Sequence, residues 1–581
     1  MRALVLALLF VPVALCSYTV EFRGVEDEAL LCTVKESSNL EQKRKDPPSS
    51  LTGLIERAES DIAPLTQLLH SQGHYNADVR YRLDRRSSPV RVVVTLQLGP
   101  RFPIARFAVL PADGDPGIYP YGQIPTAIED GAPAVSEDIL KAEESILCRM
   151  RAQGYALARL VDRQVVVDLS QLEVDVLLYI DSGPLCRFGP LKISGLCKVS
   201  ERAIQKAVAW KVGEVYNNRC VTETCRRLRD MGLFNYVSLT HGCELNEQEL
   251  LPMCLSVIER KQRTISIGVS YNTRELWGIG ASWLNRNLRG QGDKLALDAE
   301  YNERKKLLGG LYRDIQWGHP DQDLLVDGFL KDDQSNPGYD ERAVGVGVGV
   351  ERRVNCRFRY SYGVNARQMQ VSDSFNDGDY TTLGAPLFAG WDNSNDLLNP
   401  TKGSTAYLNV EPVTDLANDF SAFLKASLTG TLYYPVIGGG RLVLAGWASF
   451  GVILGTSNSR IPPPYRFYAG NDSSLRGYKY QSVGPTDATG KPIGGRSMML
   501  YGVEARTRIT CSLGFVTFFE MGDVFLSEWP RFDQKLLKSW GVGLRYFTPV
   551  GPLSLDVAFP LDRRPGIDKS LQVYLTVGQA F

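Results

Sequence analysis

The chain has 581 residues, 44% of them hydrophobic, with 65 Lys+Arg balanced by 65 Asp+Glu. That length predicts about three or four domains, and a neutral chain with no basic block argues against nucleic acid as a partner. No apolar run in the mature chain approaches the roughly 20 residues of a membrane helix. This excludes a helical membrane protein but not one built of strands, whose alternation averages to a soluble-looking hydropathy.

Met1-Arg2, an apolar stretch from Ala3 to Val13, and Ala14-Leu15-Cys16-Ser17 read as a signal peptide over residues 1–16. Cleavage after Cys16 is the expectation. The rival reading, Cys16 as a lipidated first residue, is disfavoured by the bulk of Leu15 before it.

A repeat follows. Gly73-His74-Tyr75, Gly154-Tyr155 and Gly232-Leu233-Phe234 recur about 80 residues apart. Each ends an amphipathic helix, expected over Leu51 to Ser71, Ser136 to Gln153 and Thr222 to Met231, and each opens a strand. The glycine supplies a left-handed helix end and the aromatic covers the core.

In the third copy, the strand from Phe188 to Ile193 precedes a helix near Ser200 to Trp210, with Ser200 a candidate N-cap. A second helix and strands from Tyr236 to Thr240 and Met253 to Glu259 complete a β-α-α-β-β order. That order resembles the polypeptide-transport-associated (POTRA) module. The first two copies fit less well, being interrupted by Lys43 to Ser50 and by a Gly/Pro-rich insert around Asp113 to Pro133. The expected boundaries are 17–99, 100–183 and 184–262, with a transmembrane β-barrel over 263–581.

Eight of the eleven cysteines lie between Cys32 and Cys254. The close pairs Cys186/Cys197, Cys220/Cys225 and Cys243/Cys254 suggest intramolecular disulfides in an oxidising compartment, with connectivity left open. The spacing does not suit zinc, and His70, His74, His241 and His319 form no cluster, so no metal or cofactor is expected.

From about Thr264 the period becomes two. Ile265, Ile267, Val269 and Tyr271 alternate with Thr264, Ser266, Gly268 and Ser270, and Val344, Val346, Val348 and Val350 with Gly345, Gly347 and Gly349. About sixteen such segments run to the C-terminus, starting near 264, 277, 293, 307, 323, 340, 355, 382, 403, 420, 440, 496, 512, 537, 551 and 568. An even count returns both ends to one side of a membrane. The fold class is therefore α+β repeats followed by an all-β antiparallel barrel.

Between the eleventh and twelfth segments, about Gly455 to Gly494 forms the sixth loop on the far side. It holds Arg466-Phe467-Tyr468-Ala469-Gly470 and Leu475-Arg476-Gly477-Tyr478. Further on, Phe518-Phe519-Glu520-Met521-Gly522 sets a carboxylate on the inner face of a strand, with Gly514, Val516 and Gly522. An arginine inside a lumen needs a carboxylate, and a bidentate pair fixes a loop's position. Arg545 and Asp556 face inward by period and are placed to pair across the penultimate hairpin.

These motifs resemble those of the outer-membrane insertase superfamily, whose [V/I/L]-Arg-Gly-[Phe/Tyr] loop pairs with an Asp in [Phe/Gly]-x-Asp-x-Gly on a late strand. Here Glu520 stands for that Asp. Asn399-Pro400-Thr401-Lys402-Gly403 resembles the family's Pro-Thr-x-Gly turn. Three modules and the wording of the loop resemble the TamA-type members most closely.

The resemblance implies a non-enzymatic outer-membrane protein with periplasmic modules that inserts unfolded outer-membrane protein clients, autotransporters among them, next to outer-membrane lipid. It also implies a TamB-like inner-membrane-anchored partner. The implied gate is a lateral seam between the first strand (Ile265, Ile267, Val269) and the last (Val573, Leu575, Val577, Gly578, Phe581). The rival readings are a two-partner-secretion-type transport pore and a scaffold of an envelope-spanning lipid-transfer conduit. No Gly-x-Ser-x-Gly elbow is present to support catalysis.

Overall fold

A computed structural model of the chain describes residues 17–87, 89–112, 128–129, 131–272, 276–373, 377–418, 420–510, 512–548 and 551–577. Residues 1–16, where a signal peptide is expected, most of the Asp113 to Pro133 insert, Cys511, Gly578 and Phe581 lie outside them.

The first repeat comprises β1 (Tyr18–Arg23), α1 (Glu28–Ser37), α2 (Asn39–Gln42), α3 (Leu51–Ser71), β2 (Asp78–Asp84) and β3 (Val90–Gln97). The second has β4 (Ile104–Pro111), α4 (Ser136–Ala152), β5 (Arg159–Asp168) and β6 (Glu173–Asp181). The third has β7 (Arg187–Ser194), α5 (Glu201–Ala207), α6 (Asn218–Asp230), β8 (Phe234–His241) and β9 (Leu250–Glu259).

The three sheets share one order: β1-β3-β2, β4-β6-β5 and β7-β9-β8. In each of the first two sheets the opening strand runs parallel to the closing one. The repeat glycines Gly73, Gly154 and Gly232 all have positive φ, at 88°, 110° and 68°, the left-handed turn that ends each helix where a Cβ would strain. Apolar faces meet as the periodicity requires. Leu54, Leu65 and Leu69 of α3 pack with Val92, Val94 and Leu96 of β3, and Ile139, Ile146 and Met150 of α4 pack with Val174, Val176 and Leu178 of β6.

One buried acid interrupts the apolar face of α3. Asp61 accepts from Ser38 Oγ at 2.5 Å, Asn39 N at 2.9 Å and Leu40 N at 3.0 Å, satisfying the free N–H groups that begin α2. Glu259, ending β9, accepts from the successive amides of Cys197 (2.8 Å), Lys198 (2.9 Å) and Val199 (2.9 Å). Burial alone would raise its pKa. The three N–H donors outweigh that and hold its carboxyl below the ordinary 4.5.

The expected disulfides are not formed among the nine described cysteines. Cys220 and Cys225 sit five residues apart on α6, which turns them to different faces. Cys186 and Cys197 lie beyond opposite ends of β7, roughly 26 Å of extended chain. Gly242 bonds Pro252 and Thr240 bonds Cys254, which sets Cys243 out of register with Cys254.

From residue 263 the chain forms one antiparallel sheet. Its strands are β10 (Arg263–Asn272), β11 (Leu276–Asn285), β12 (Lys294–Asn302), β13 (Lys305–Asp314), β14 (Gln322–Asp333), β15 (Tyr339–Arg353), β16 (Phe358–Asp373), β17 (Asp377–Gly384), β18 (Leu387–Asp392), β19 (Gly403–Asp415), β20 (Ser421–Ile437), β21 (Leu442–Leu454), β22 (Ser497–Arg508), β23 (Leu513–Phe525), β24 (Leu537–Thr548), β25 (Gly551–Pro560) and β26 (Gln572–Val577).

The sheet has 17 strands in chain order. β17 and β18 are two lengths of a single stave, because each pairs with both β16 and β19 in unbroken register. Pro386, which has no N–H, falls in the gap between them. The strands therefore occupy sixteen places, as the alternation predicts. On β15 the valines Val344, Val346 and Val348 are exposed outward. Gly345 and Gly347 make room for the inward ring of Phe329 and the carboxylate of Asp327.

The two ends depart from expectation. Among the described residues no ladder joins β10 to β26, so each is an edge. The last strand begins at Gln572 rather than near Asp568. The Asp568 carboxylate instead closes a turn, accepting from the backbone N–H and the guanidinium of Arg564.

By contact the chain divides into two compact units, one holding the first two repeats and part of the third, the other the rest of the third and the large sheet.

Two predictions follow from these carboxylates. Asp61→Ala strands buried amides and is expected to lower the opening free energy of the α2–α3 region by about 1–3 kcal/mol in hydrogen exchange. Glu259→Gln is expected to reduce protection of the 197–199 amides at pH 7. Because the folded pKa of Glu259 is depressed, its contribution is complete above the unfolded value and fades as pH falls through the folded one. The difference between wild type and variant should therefore vanish in acid.

Candidate functional site: a loop clasped by buried charge

The segment between β21 and β22 folds inward, and the sheet curls around it. Tyr465 Oη meets Thr382 Oγ1 at 3.2 Å, Arg466 reaches Asp373, and the Tyr468 ring lies 5.9 Å from that of Tyr339. An apolar cluster of Tyr465, Phe467, Ala469, Leu475, Tyr478 and Val483 packs with Met369, Val413, Phe423 and Trp447 of the wall. Arg466 staples the segment to itself, donating to the carbonyls of Ile461 (2.9 Å) and Ile493 (3.0 Å).

The tip is a tight excursion. Gly470 accepts from Gln481 N at 2.8 Å, and the Asn471 side chain holds Ser473 and Ser474. Leu475 and Gly477 both have positive φ, 53° and 98°. For leucine this is a costly conformation, kept because Leu475 is wholly buried in the apolar cluster.

That twist aims Arg476 at the wall, where it is fully buried. Its Nε and Nη2 donate to Glu520 Oε1 at 2.9 and 2.6 Å, and its own backbone N donates to Glu520 Oε2 at 2.6 Å. Nη2 also reaches Glu504 Oε1 at 2.5 Å, and Nη1 reaches Asp556 Oδ2 at 2.9 Å. The Phe518 ring stacks beneath the guanidinium, 3.5 Å from its carbon to the ring centroid.

Two more arginines complete the group. Arg506 Nε donates to Glu504 at 2.8 Å, and Arg545 donates through both terminal nitrogens to Asp556. Three carboxylates thus face three guanidinium groups, a balanced set in a region that excludes water. Glycines clear the space. A Cβ on Gly543 would sit 1.9 Å from Asp556, and one on Gly541 would sit 2.3 Å from Phe518. Gly522 keeps the wall tight, since a Cβ there would meet the Met499 carbonyl at 2.4 Å.

The structure brings Leu475, Arg476, Gly477 and Tyr478 to Glu520. It also joins Arg545 and Asp556, read from sequence as a separate hairpin pair, to the same network through Arg476. Tyr478 is buried, and its hydroxyl donates to Lys538 O at 2.7 Å. Among the described residues no strand pairing joins the seam residues, and Gly578 and Phe581 lie outside them. Ile265, Ile267 and Val269 are exposed on one edge, and Val573 and Leu575 on the other. The side chain of Val577 lies outside the description.

Sequence reasoning missed Glu504, Arg506, Phe518 and Tyr574, whose hydroxyl accepts from Gly477 N at 3.0 Å. The signal for the first two was present: two charges two residues apart, both in the inward register of an alternating strand.

Residues 287–581 match the Omp85 superfamily domain. The outer membrane protein assembly factor BamA of Nitratidesulfovibrio vulgaris is 22% identical over 558 residues, covering 91% of this chain and 69% of that protein. The BamA of Neisseria meningitidis serogroup B is 20% identical, covering 87% and 70%. Among solved structures, BamA from Haemophilus ducreyi lacking POTRA domains 1–3 superposes with a TM-score of 0.65 at 16% identity, over 81% of this chain and 99% of that one.

Removing one member of the charge group leaves an uncompensated charge in a buried set of three acids and three guanidinium groups. Glu504→Ala is therefore expected to cost about as much as Glu520→Ala, roughly 3–5 kcal/mol, read from unfolding in detergent. Stability unchanged by Glu504→Ala would show that this acid is a bystander.

Proposed function

Because the chain belongs to the Omp85 superfamily, we propose that it is a TamA-like assembly factor, inserting β-barrel or autotransporter clients through the gap between its first and last strands. It is an outer-membrane protein with its N-terminal modules in the periplasm. The observation that carries the proposal is that, among the described residues, β10 and β26 are the two edges of a sheet whose other strands are all paired on both sides.

In lipid, unpaired backbone groups each cost several kcal/mol, so such edges attract a strand that satisfies them. A client strand adding to β10 or β26 gains main-chain hydrogen bonds whatever its side chains, which suits a factor serving many clients. Among the described residues β10 holds ten register pairs with β11 and β26 holds six with β25. In this reading β26 is the edge that gives way. The periplasmic modules receive clients or dock a TamB-like partner along their free strand edges.

Cysteines replacing Ile267 and Leu575, joined by an oxidant or a short bifunctional reagent, are expected to abolish client insertion while leaving the sheet folded. Full insertion by the tethered protein would reject the gate. A large steady single-channel current would favour the pore instead.

A further inference from the structure

Among the described residues the final strand is the least supported part of the sheet: six residues, paired on one side only. Its outward residues Val573 and Leu575 are exposed. Tyr574 is its one large inward side chain, and that side chain does not stop at the wall. Its hydroxyl accepts from Gly477 N at 3.0 Å and lies 3.4 Å from Tyr478 O, to which it donates. Both hydrogen-bonding roles of the phenol are thereby taken by the backbone of the clasped loop, on either side of the bond that follows Arg476 by one residue.

The ring is equally placed. Tyr574 stands directly opposite Asp556 in the β25–β26 register, and Asp556 is one of the carboxylates that hold Arg476. It packs against the cluster of Val516, Phe518 and Ala558, and Phe518 lies under the Arg476 guanidinium. Just upstream, Arg564 of the β25–β26 turn donates to Ser482 Oγ of the loop at 3.1 Å and sits over the Tyr478 ring at 5.7 Å. The last strand is thus fastened to the loop on its inner side, and among the described residues it has no strand neighbour on its outer edge.

We propose that Tyr574 is a positioning residue that couples the charge network to the terminal strand. While Arg476 is seated among its acids, Gly477 presents its N–H to the phenol and β26 is held in place. When the network loosens, that N–H moves away and β26 is released. The inference rests on the reading of β26 as one lip of the gate, and it adds the regulation of that lip: the loop's seating sets how readily the strand yields.

Hydrogen exchange of the full chain in lipid nanodiscs tests it. In Tyr574→Phe, which keeps the ring and removes the hydroxyl, the amides of 572–577 are expected to exchange about five- to tenfold faster, with those of β24 unchanged. Glu504→Gln, which loosens the network from the far side, is expected to accelerate the same amides when Tyr574 is present and to add little in Tyr574→Phe. Independent packing roles would give additive effects instead, so additivity would overturn the coupling, as would unchanged exchange of β26 in Tyr574→Phe. Client insertion is measured separately. If Tyr574→Phe frees β26 but insertion is unaffected, the gate reading fails and the coupling stands.

Discussion

An arginine taken wholly out of water must be met by opposite charge and by hydrogen-bond acceptors for all its donors, and Arg476 imposes that demand on everything near it. The answer is built from four elements distant in sequence. The loop supplies the guanidinium, β22 supplies Glu504 and Arg506, β23 supplies Glu520 and Phe518, and the β24–β25 hairpin supplies Arg545 and Asp556. Removing any one member unbalances the buried charge. The group therefore specifies one position for the loop more than it adds net stability. The left-handed Leu475 and the glycines at 541 and 543 follow from the same demand, one to aim the side chain and the others to admit its partners.

With the loop fixed, the late strands gain an interior scaffold that the early strands lack. β22 to β25 bury polar groups against it, whereas β10 carries exposed residues on both faces. The sheet is therefore firm where it encloses the charge group, and among the described residues its two end strands are each paired on one side. The two short lengths β17 and β18 show that interruptions are tolerated elsewhere in the wall only when the register continues across them.

Much of this was legible in sequence because period-two alternation is a strong signal over ten or more residues. The starts of most strands fall within a few residues of those read from the pattern, and α3 spans Leu51–Ser71 as expected. Arg476 and Glu520 were found by motif. Glu in place of Asp is explained by reach: one oxygen takes the guanidinium and the other the backbone N–H of the same residue.

What stayed hidden depends on juxtaposition. Nothing in the local pattern of β22 says that Glu504 meets Arg476, nor that Tyr574 touches the loop 97 residues before it. The cysteine pairs misled because closeness in sequence is not closeness of side chains on a helix or along a strand. The seam between the first and last strands rests on the family resemblance, and Gly578 and Phe581, on its last strand, lie outside the described residues.

The central claim is that a six-member charge group, rather than a single ion pair, holds the loop. The charge swap Arg476→Glu with Glu520→Arg tests it most directly, read as protease cleavage of the loop at Lys479 and Lys491 in the folded protein. A two-residue pair would tolerate exchange. In the network, a glutamate at 476 would face Glu504 and Asp556, so the swap is expected to leave the loop as open to cleavage as either single change. Restoration of wild-type protection by the swap would contradict the account.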